Sequence, residues 1–193
     1  MDLEAVVRHY RANFQKRALD ELESFKNEPT LESATRRAAL AETPDGKRFT
    51  HQRRLKREDM ERAATILISK LPAIADQPNF ARLLELVETV TLIERGLGDL
   101  YGYDTALHIG AKLGHMPTRV YLHRGTREGA LALGLDAKKR AALDKGELPP
   151  ELQAMEMHEV ENILCIYKRY FAREVTDLED ARICWADDAD ESD

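Results

Sequence analysis

The sequence predicts an all-α fold, a compact domain built from several helices. Apolar residues recur at steps of three and four along most of the chain with charged residues between them, which is the pattern of amphipathic helices. Alternating β-branched residues, which would indicate strands, are almost absent. Proline, glycine and threonine interrupt the helical pattern at intervals, so we expect a bundle of separate helices.

Length and composition favour one globular domain followed by a short acidic tail. The chain has 193 residues, of which 43% are hydrophobic and 33% are charged. A chain of this length and composition can bury a core without disulfides or a structural metal ion. We therefore expect a single helical domain over residues 1–186. Residues 187–193 hold five of the six net negative charges and no large apolar side chain, so this tail is expected to be disordered.

The remaining composition argues against several classes of protein. The two cysteines show no disulfide or zinc-ligand spacing, which fits a reducing cytoplasm, and the irregularly spaced histidines predict no metal site. Cys165 falls in an apolar stripe and is expected to behave as a small buried hydrophobe. We find no signal peptide, no membrane span and no cofactor motif, so a cytoplasmic protein without a cofactor is predicted.

Four helices are predicted in the first half of the chain. The first spans residues 2–26, and the second spans 30–42 with Thr30 as its N-cap. The third spans 57–71, and the fourth spans 79–94 after a connector bounded by two prolines.

The second half is predicted to hold further helices of unequal length. One spans residues 99–113 and is closed by Gly114, and a shorter helix ends near Gly134. A short helix is expected over 137–143. A strongly apolar final helix over 157–171 is expected to be central in the core.

A basic loop between the second and third helices is the first candidate site. The cations and the imidazole of this segment are Lys47, Arg48, His51, Arg53 and Arg54. Such a run can neutralise several phosphates or line a cleft, although solvated charge is the commoner explanation. Phe49 in the same loop could stack on a base or fill the core, and the sequence leaves both roles open.

Two glycines form a second candidate, a hairpin between the fourth and fifth helices. Gly96 and Gly98 permit a tight turn whose following helix start can offer backbone amides to a phosphate. A tight turn that binds nothing is the alternative.

The segment after Leu122 is a third candidate, for an anion pocket. His123, Arg124, Thr126 and Arg127 combine an imidazole, two guanidiniums and a hydroxyl at an expected helix start. Alternatively, Thr126 only caps its helix and both arginines are solvated.

For catalysis the sequence offers only candidates, and whether the protein is an enzyme stays open. Asp104 and His108 are four residues apart on one predicted helix, where the carboxylate can orient the imidazole, although a simple surface pair is the commoner arrangement. Asp104 and His123 are the two residues that we single out.

One stretch of about 40 residues resembles the helix-hairpin-helix DNA glycosylase superfamily. The segment Gly96-Leu97-Gly98-Asp99-Leu100-Tyr101-Gly102 stands where that family has its glycine hairpin, and Leu113-Gly114-His115-Met116-Pro117, Val120-Tyr121-Leu122-His123 and Leu133-Gly134-Leu135 follow in the family's order. The resemblance implies a helix-hairpin-helix-like element within the all-α fold and a grip on DNA.

The same comparison speaks against glycosylase chemistry. Tyr121 stands where the family usually places its catalytic Asp, and Leu100 stands where bifunctional members place a nucleophilic Lys.

A second resemblance is to a bacterial family of helical proteins. It is carried by the segments Gly46-Lys47-Arg48, His51-Gln52-Arg53-Arg54, Tyr103-Asp104-Thr105-Ala106 and Tyr121-Leu122-His123. That likeness implies a common fold and supplies no chemistry.

Together these features favour a nucleic-acid-binding helical protein, with DNA or RNA as its partner and no membrane association. The alternative is an enzyme or sensor for a small anionic ligand such as a nucleotide, held in a pocket of His51, Arg53, Asp104, His123 and Arg124. A protein-interaction module that uses the acidic tail is a third possibility. The oligomeric state is left open by the sequence.

Overall fold

In the computed structural model the chain is mainly helical, as predicted. The structure describes residues 2–91, 93 and 96–181, except for the side chain of Thr50. The predicted disordered tail lies outside the described residues. The described residues group into two compact units: a terminal unit of residues 2–16 and 118–181, and a central unit of the described residues from 17 to 117.

The central unit contains most of the helices predicted for the first half of the chain and the helix predicted over residues 99–113. They are α2 (Lys16–Lys26), α3 (Leu31–Ala39), α4 (Arg57–Ser69), α5 (Leu71–Ala75), α6 (Phe80–Thr91) and α7 (Asp99–Leu113), with one 3-10 turn at Thr50–Gln52. Thr30 caps α3 as predicted, because its side chain accepts from the backbone of Ser33. Helix α3 stops earlier than predicted, and Ala41 follows it with a positive φ. The short α5 was not predicted, and it tolerates Pro72 in its first turn because no helical hydrogen bond is lost there.

Helix α7 is the centre of this unit, packing against α3 and α6. Its buried residues lie on more than one side of the helix and include Tyr101, Ala106 and Ile109. The phenol of Tyr101 donates to the carbonyl oxygen of Ala39 at 2.6 Å, which fixes α7 against the end of α3. Gly114 ends α7 in the left-handed conformation that glycine adopts without strain, as the sequence predicts.

The terminal unit combines helices with a small sheet. Its helices are α1 (Leu3–Tyr10), which continues as a π-helical turn at Arg11–Gln15, then α8 (Arg124–Ala132), α9 (Pro150–Gln153), α10 (Met157–Ile166) and α11 (Lys168–Phe171). A 3-10 turn spans Lys145–Glu147. The predicted final helix is thus divided into α10 and α11 at Tyr167.

The helix predicted over residues 137–143 is wrong. Strand β2 (Ala142–Asp144) pairs antiparallel with β1 (Arg119–Tyr121), with Val120 opposite Leu143. Residues 137–141 before it form turns and irregular backbone. The guanidinium of Arg127 donates to the carbonyl oxygens of Ala137 and Arg140, and so supports that backbone without a helix.

Helix α10 carries the core of the terminal unit, and α8 lies directly against it. A Cβ atom added to Gly129 of α8 would lie 1.9 Å from the carbonyl oxygen of Leu164 in α10. Real contacts never come this close, so the two backbones can approach only because residue 129 is a glycine.

Gly129→Ala should therefore destabilise the protein, by about 3 kcal/mol, the upper end of the usual cost of overpacking a core. Alanine favours helix formation over glycine by about 1 kcal/mol, which makes a loss of stability diagnostic of the clash. The free energy of unfolding in urea measures the change. Gly146→Ala is the control, because no atom of the described residues lies within 4 Å of a Cβ at that position. Equal stabilities for the two variants would contradict the packing described here.

His158 of α10 is buried, and neither of its ring nitrogens has a hydrogen-bond partner among the residues that the structure describes. Burial lowers its pKa, more than the neighbouring Glu159, Glu156 and Glu161 raise it. The unfolded state then binds more protons than the folded state near and below the ordinary histidine pKa of about 6.5, so protonation opposes folding there.

We expect the free energy of unfolding to fall as the pH drops from about 7 to about 5, and His158→Gln to reduce this fall. Denaturant unfolding over this range measures the slope for both proteins. His51→Gln is a suitable control, because that imidazole is partly exposed and already has a carboxylate partner. A variant with the wild-type slope would show that His158 does not govern it.

Candidate functional site

The basic loop of the central unit, residues 47–56, is held to the fold at its start. Phe49 donates its backbone N–H to the carbonyl oxygen of Ala41 at 2.8 Å, and its side chain is only 6% exposed. Of the two roles that the sequence leaves open for Phe49, the structure shows the core-filling one. The guanidinium of Arg48 donates to the carbonyl oxygens of Arg53 and Leu55. These hydrogen bonds connect the start of the loop to its end.

Asp104 of α7 fixes the middle of the loop. Its Oδ2 accepts a hydrogen bond from Gln52 Nε2 at 2.7 Å and lies 2.9 Å from His51 Nε2. Gln52 is buried, whereas the side chain of His51 is 34% exposed. The carboxylate therefore orients an imidazole that solvent reaches, which is the arrangement that acid–base chemistry or anion binding requires.

The predicted pair of Asp104 with His108 is replaced by two longer-range pairs. Asp104 contacts the basic loop, and His108 Nε2 lies 2.7 Å from Glu21 Oε1 of α2. Since His108 is buried, its carboxylate partner compensates for the removal of the ring from water. Glu21 and Gln52 are contributors that the sequence analysis missed, because no local spacing connects them to α7.

Behind His51 the rings form one stack. Phe49 lies between His51, at a centroid distance of 6.1 Å, and His108, at 5.3 Å. His108 stacks on Phe25 at 4.0 Å, and the guanidinium of Arg37 covers the other face of Phe25 at 3.6 Å. Cations and aromatic rings in such contact attract each other. The stack therefore fixes the base of the loop and leaves His51 at its exposed end.

The outer side of the loop presents free cations. Arg53, Arg54 and Lys56 are exposed, and within the described part of the chain none of them has an ion pair. Lys47 is exposed as well and pairs with Asp45 at 3.3 Å. Charges without a protein partner keep their full attraction for an external anion.

Gly96 and Gly98, the glycines of the predicted hairpin, lie near acidic side chains. Gly96 has a φ of 104° and Gly98 is the N-cap of α7, as a tight turn into a helix requires. A Cβ at Gly96 would lie 3.3 Å from the carboxylate of Asp59. Burial and the nearby Asp99 and Glu85 raise the pKa of Glu88 on α6. These neighbours are carboxylates, so the described surroundings of the hairpin give no support to its predicted role in anion binding.

The residues of the predicted anion pocket after Leu122 lie in the terminal unit, and most of them bind other groups of the protein. Arg127 donates to three backbone carbonyl oxygens, including that of Leu122, and Thr126 is fully buried. Thr126 and His123 both contact the carboxylate of Glu161, a residue that the sequence analysis missed. Arg124 alone of this set is well exposed, and it pairs with Glu128.

The residues of the predicted nucleotide pocket divide between the units. His51, Arg53 and Asp104 lie in the central unit, whereas His123 and Arg124 lie in the terminal unit. Among the described residues no group of three or more His, Cys, Asp and Glu side chains is placed to hold a metal ion. A helix long and apolar enough to span a membrane is also not found among them.

If Asp104 anchors the loop, Asp104→Ala should loosen it by leaving the buried amide of Gln52 without its acceptor. Such a loss costs about 1–3 kcal/mol, so we expect trypsin to cleave after Arg53 or Arg54 roughly ten times faster under native conditions. Asp76→Ala, which removes an exposed carboxylate from α5's C-cap residue, is the control. Unchanged cleavage in Asp104→Ala would show that the loop is held by other contacts.

Comparison with known protein families, with curated proteins and with solved structures finds no match to this chain. The site must therefore be interpreted from its own geometry.

Proposed function

We propose that this protein binds the phosphate backbone of a nucleic acid through the basic loop of its central unit. The observation that carries the proposal is a loop that is fixed in place and still offers free cations. Two of its side chains, Phe49 and Gln52, are buried and hold it to the fold. Arg53, Arg54 and Lys56 are exposed and have no ion pairs among the described residues. Because the backbone is already held, binding would cost less ordering entropy than folding a mobile basic segment.

The charge distribution supports this proposal. Outside residues 187–193 the chain carries one net negative charge, so the body of the protein does not repel a polyanion strongly. Contacts to phosphates position a protein on nucleic acid without reading its sequence. We therefore expect salt-dependent binding with little preference among sequences.

A small anionic ligand is the second candidate, and one observation favours it. His51 is partly exposed and oriented by Asp104, which is more than a surface that only neutralises phosphates would need. An imidazole beside arginines suits a terminal phosphate such as that of a nucleotide. If inorganic phosphate or ATP binds at low salt and nucleic acid does not, the second candidate replaces the first.

Fluorescence anisotropy with labelled duplex DNA, single-stranded DNA and RNA tests the proposed function. We expect affinity to fall by orders of magnitude between about 50 and 200 mM salt if several phosphates are contacted. Arg53→Gln with Arg54→Gln should weaken binding to all three and lower the slope of log K against log salt by about 2, since each phosphate contact contributes about 0.9 on B-DNA.

Lys138→Gln with Lys139→Gln is the matched control, because these two exposed cations lie in the terminal unit, away from the basic loop in sequence. It removes the same charge and should leave the slope unchanged. Equal effects of the two double variants would indicate nonspecific attraction to net charge. Absence of binding to all three nucleic acids at low salt would refute the proposed function.

A further inference from the structure

The stack of rings in the central unit runs from the core to the surface of the basic loop. Successive rings in it are close to parallel, with interplanar angles of 10° between Phe25 and His108, 29° between His108 and Phe49, and 20° between Phe49 and His51. The first three side chains are buried, whereas that of His51 is one-third exposed. A column of flat rings therefore begins in the core and ends in contact with solvent.

The inner part of the column is fixed by charged groups. The guanidinium of Arg37 lies 3.6 Å from the centroid of Phe25, and it also donates to Glu28 and to Ser24 Oγ. A second contact joins His108 Nε2 to Glu21 Oε1 at 2.7 Å. Because these rings already have one arrangement, a ligand that adds to the column would lose little free energy in ordering it.

The orientation of His51 is set at the edge of its ring. Its Nε2 lies 2.9 Å from Asp104 Oδ2, and the same oxygen accepts from Gln52 Nε2 at 2.7 Å. Hydrogen bonds of an imidazole lie in the plane of the ring, so they do not compete with a group that packs on its face. Phe49 lies on one side, in an offset stack with 6.1 Å between the centroids. The exposed part of the His51 side chain therefore lies away from Phe49.

The exposed end of the column belongs to the same loop as the free cations. Arg53 and Arg54 follow His51 by two and three residues, and in the part of the chain that the structure describes they are exposed without ion pairs. Each nucleobase is joined through its sugar to the phosphate chain. A base on His51 would therefore bring its neighbouring phosphates to the segment that carries these charges.

A base must be unpaired and unstacked to reach such a ring. In a duplex the faces of the bases are covered by their neighbours, and exposing one of them costs stacking and pairing energy. In a single strand the faces are accessible, and proteins stack them on aromatic side chains, including histidine, beside cations that follow the backbone. The exposed end of the column thus suits a single strand better than a duplex.

We propose that the nucleic acid bound by the basic loop is single-stranded, with one base stacked on His51 and the adjacent phosphates held by Arg53 and Arg54. This inference rests on the proposed function and names its substrate class. Phe49 supports the platform from below and does not contact the base. Since every base has a flat face, preference among sequences stays small.

An abasic strand separates stacking from phosphate contacts without any change in the protein. Fluorescence anisotropy of the full-length protein is measured with labelled oligothymidylate and with an oligomer of equal length whose sugars carry no bases. The two strands have the same number of phosphates, so binding through phosphates alone gives equal affinities. We expect the strand with bases to bind about tenfold more tightly, within the range of one stacked base, and the two salt slopes to be similar.

His51→Phe and His51→Leu form the matched pair of variants. Both remove the hydrogen bond to Asp104 and the ionisable ring, and only phenylalanine keeps a flat face at the end of the column. We expect His51→Phe to retain the preference for the strand with bases. His51→Leu should bind that strand about tenfold more weakly than the wild type and should bind the abasic strand as the wild type does.

The outcomes separate this inference from the proposed function. Equal affinities of the wild-type protein for the two strands would overturn the inference and leave phosphate binding in place, and this comparison does not depend on any variant. A folded His51→Leu protein that keeps the wild-type preference would also overturn it. Absence of binding to all nucleic acids at low salt would refute the proposed function and the inference together.

Discussion

The hydrogen bonds that Asp104 accepts are the constraint on which the candidate site of the central unit depends. They join a loop between α3 and α4 to the helix at the centre of the unit, and one of their donors, the amide of Gln52, is buried. A buried amide without an acceptor would be costly, so the loop has one favoured position. The cations that follow Gln52 are therefore held in one place. This fixed position distinguishes them from a run of charged residues on a mobile segment.

The helices were largely predictable, whereas the contacts that build the site were not. Periodicity locates α4 and α7 because burial on one face repeats every three to four residues, and Thr30 and Gly114 mark ends through local backbone chemistry. The strand Ala142–Asp144 was missed because three residues hold no periodic signal. What makes it a strand is pairing with a segment more than 20 residues earlier.

The same distinction explains the error at Asp104. The sequence suggested a partner four residues away, at His108, because spacing along a helix is the information that a single sequence displays. In the fold Asp104 forms hydrogen bonds with His51 and Gln52, and His108 forms one with Glu21. Packing of α7 against its neighbours decides these pairs. No local rule anticipates them, although the type of partner, an imidazole with a carboxylate, was anticipated correctly.

Two of the histidine–carboxylate pairs, His51 with Asp104 and His123 with Glu161, show how burial directs similar groups to different chemistry. At His51 the ring is one-third exposed and the exposed cations Arg53, Arg54 and Lys56 follow in sequence, so charge can act on a ligand from solvent. At His123 the pair is more than nine-tenths buried, and an external anion would have to lose its hydration beside a carboxylate. The latter pair therefore holds the start of α8 to α10 and is unsuited to binding an external anion. Predicting both as anion sites from sequence alone overlooked this difference, because residue type specifies the chemistry available and burial selects among its uses.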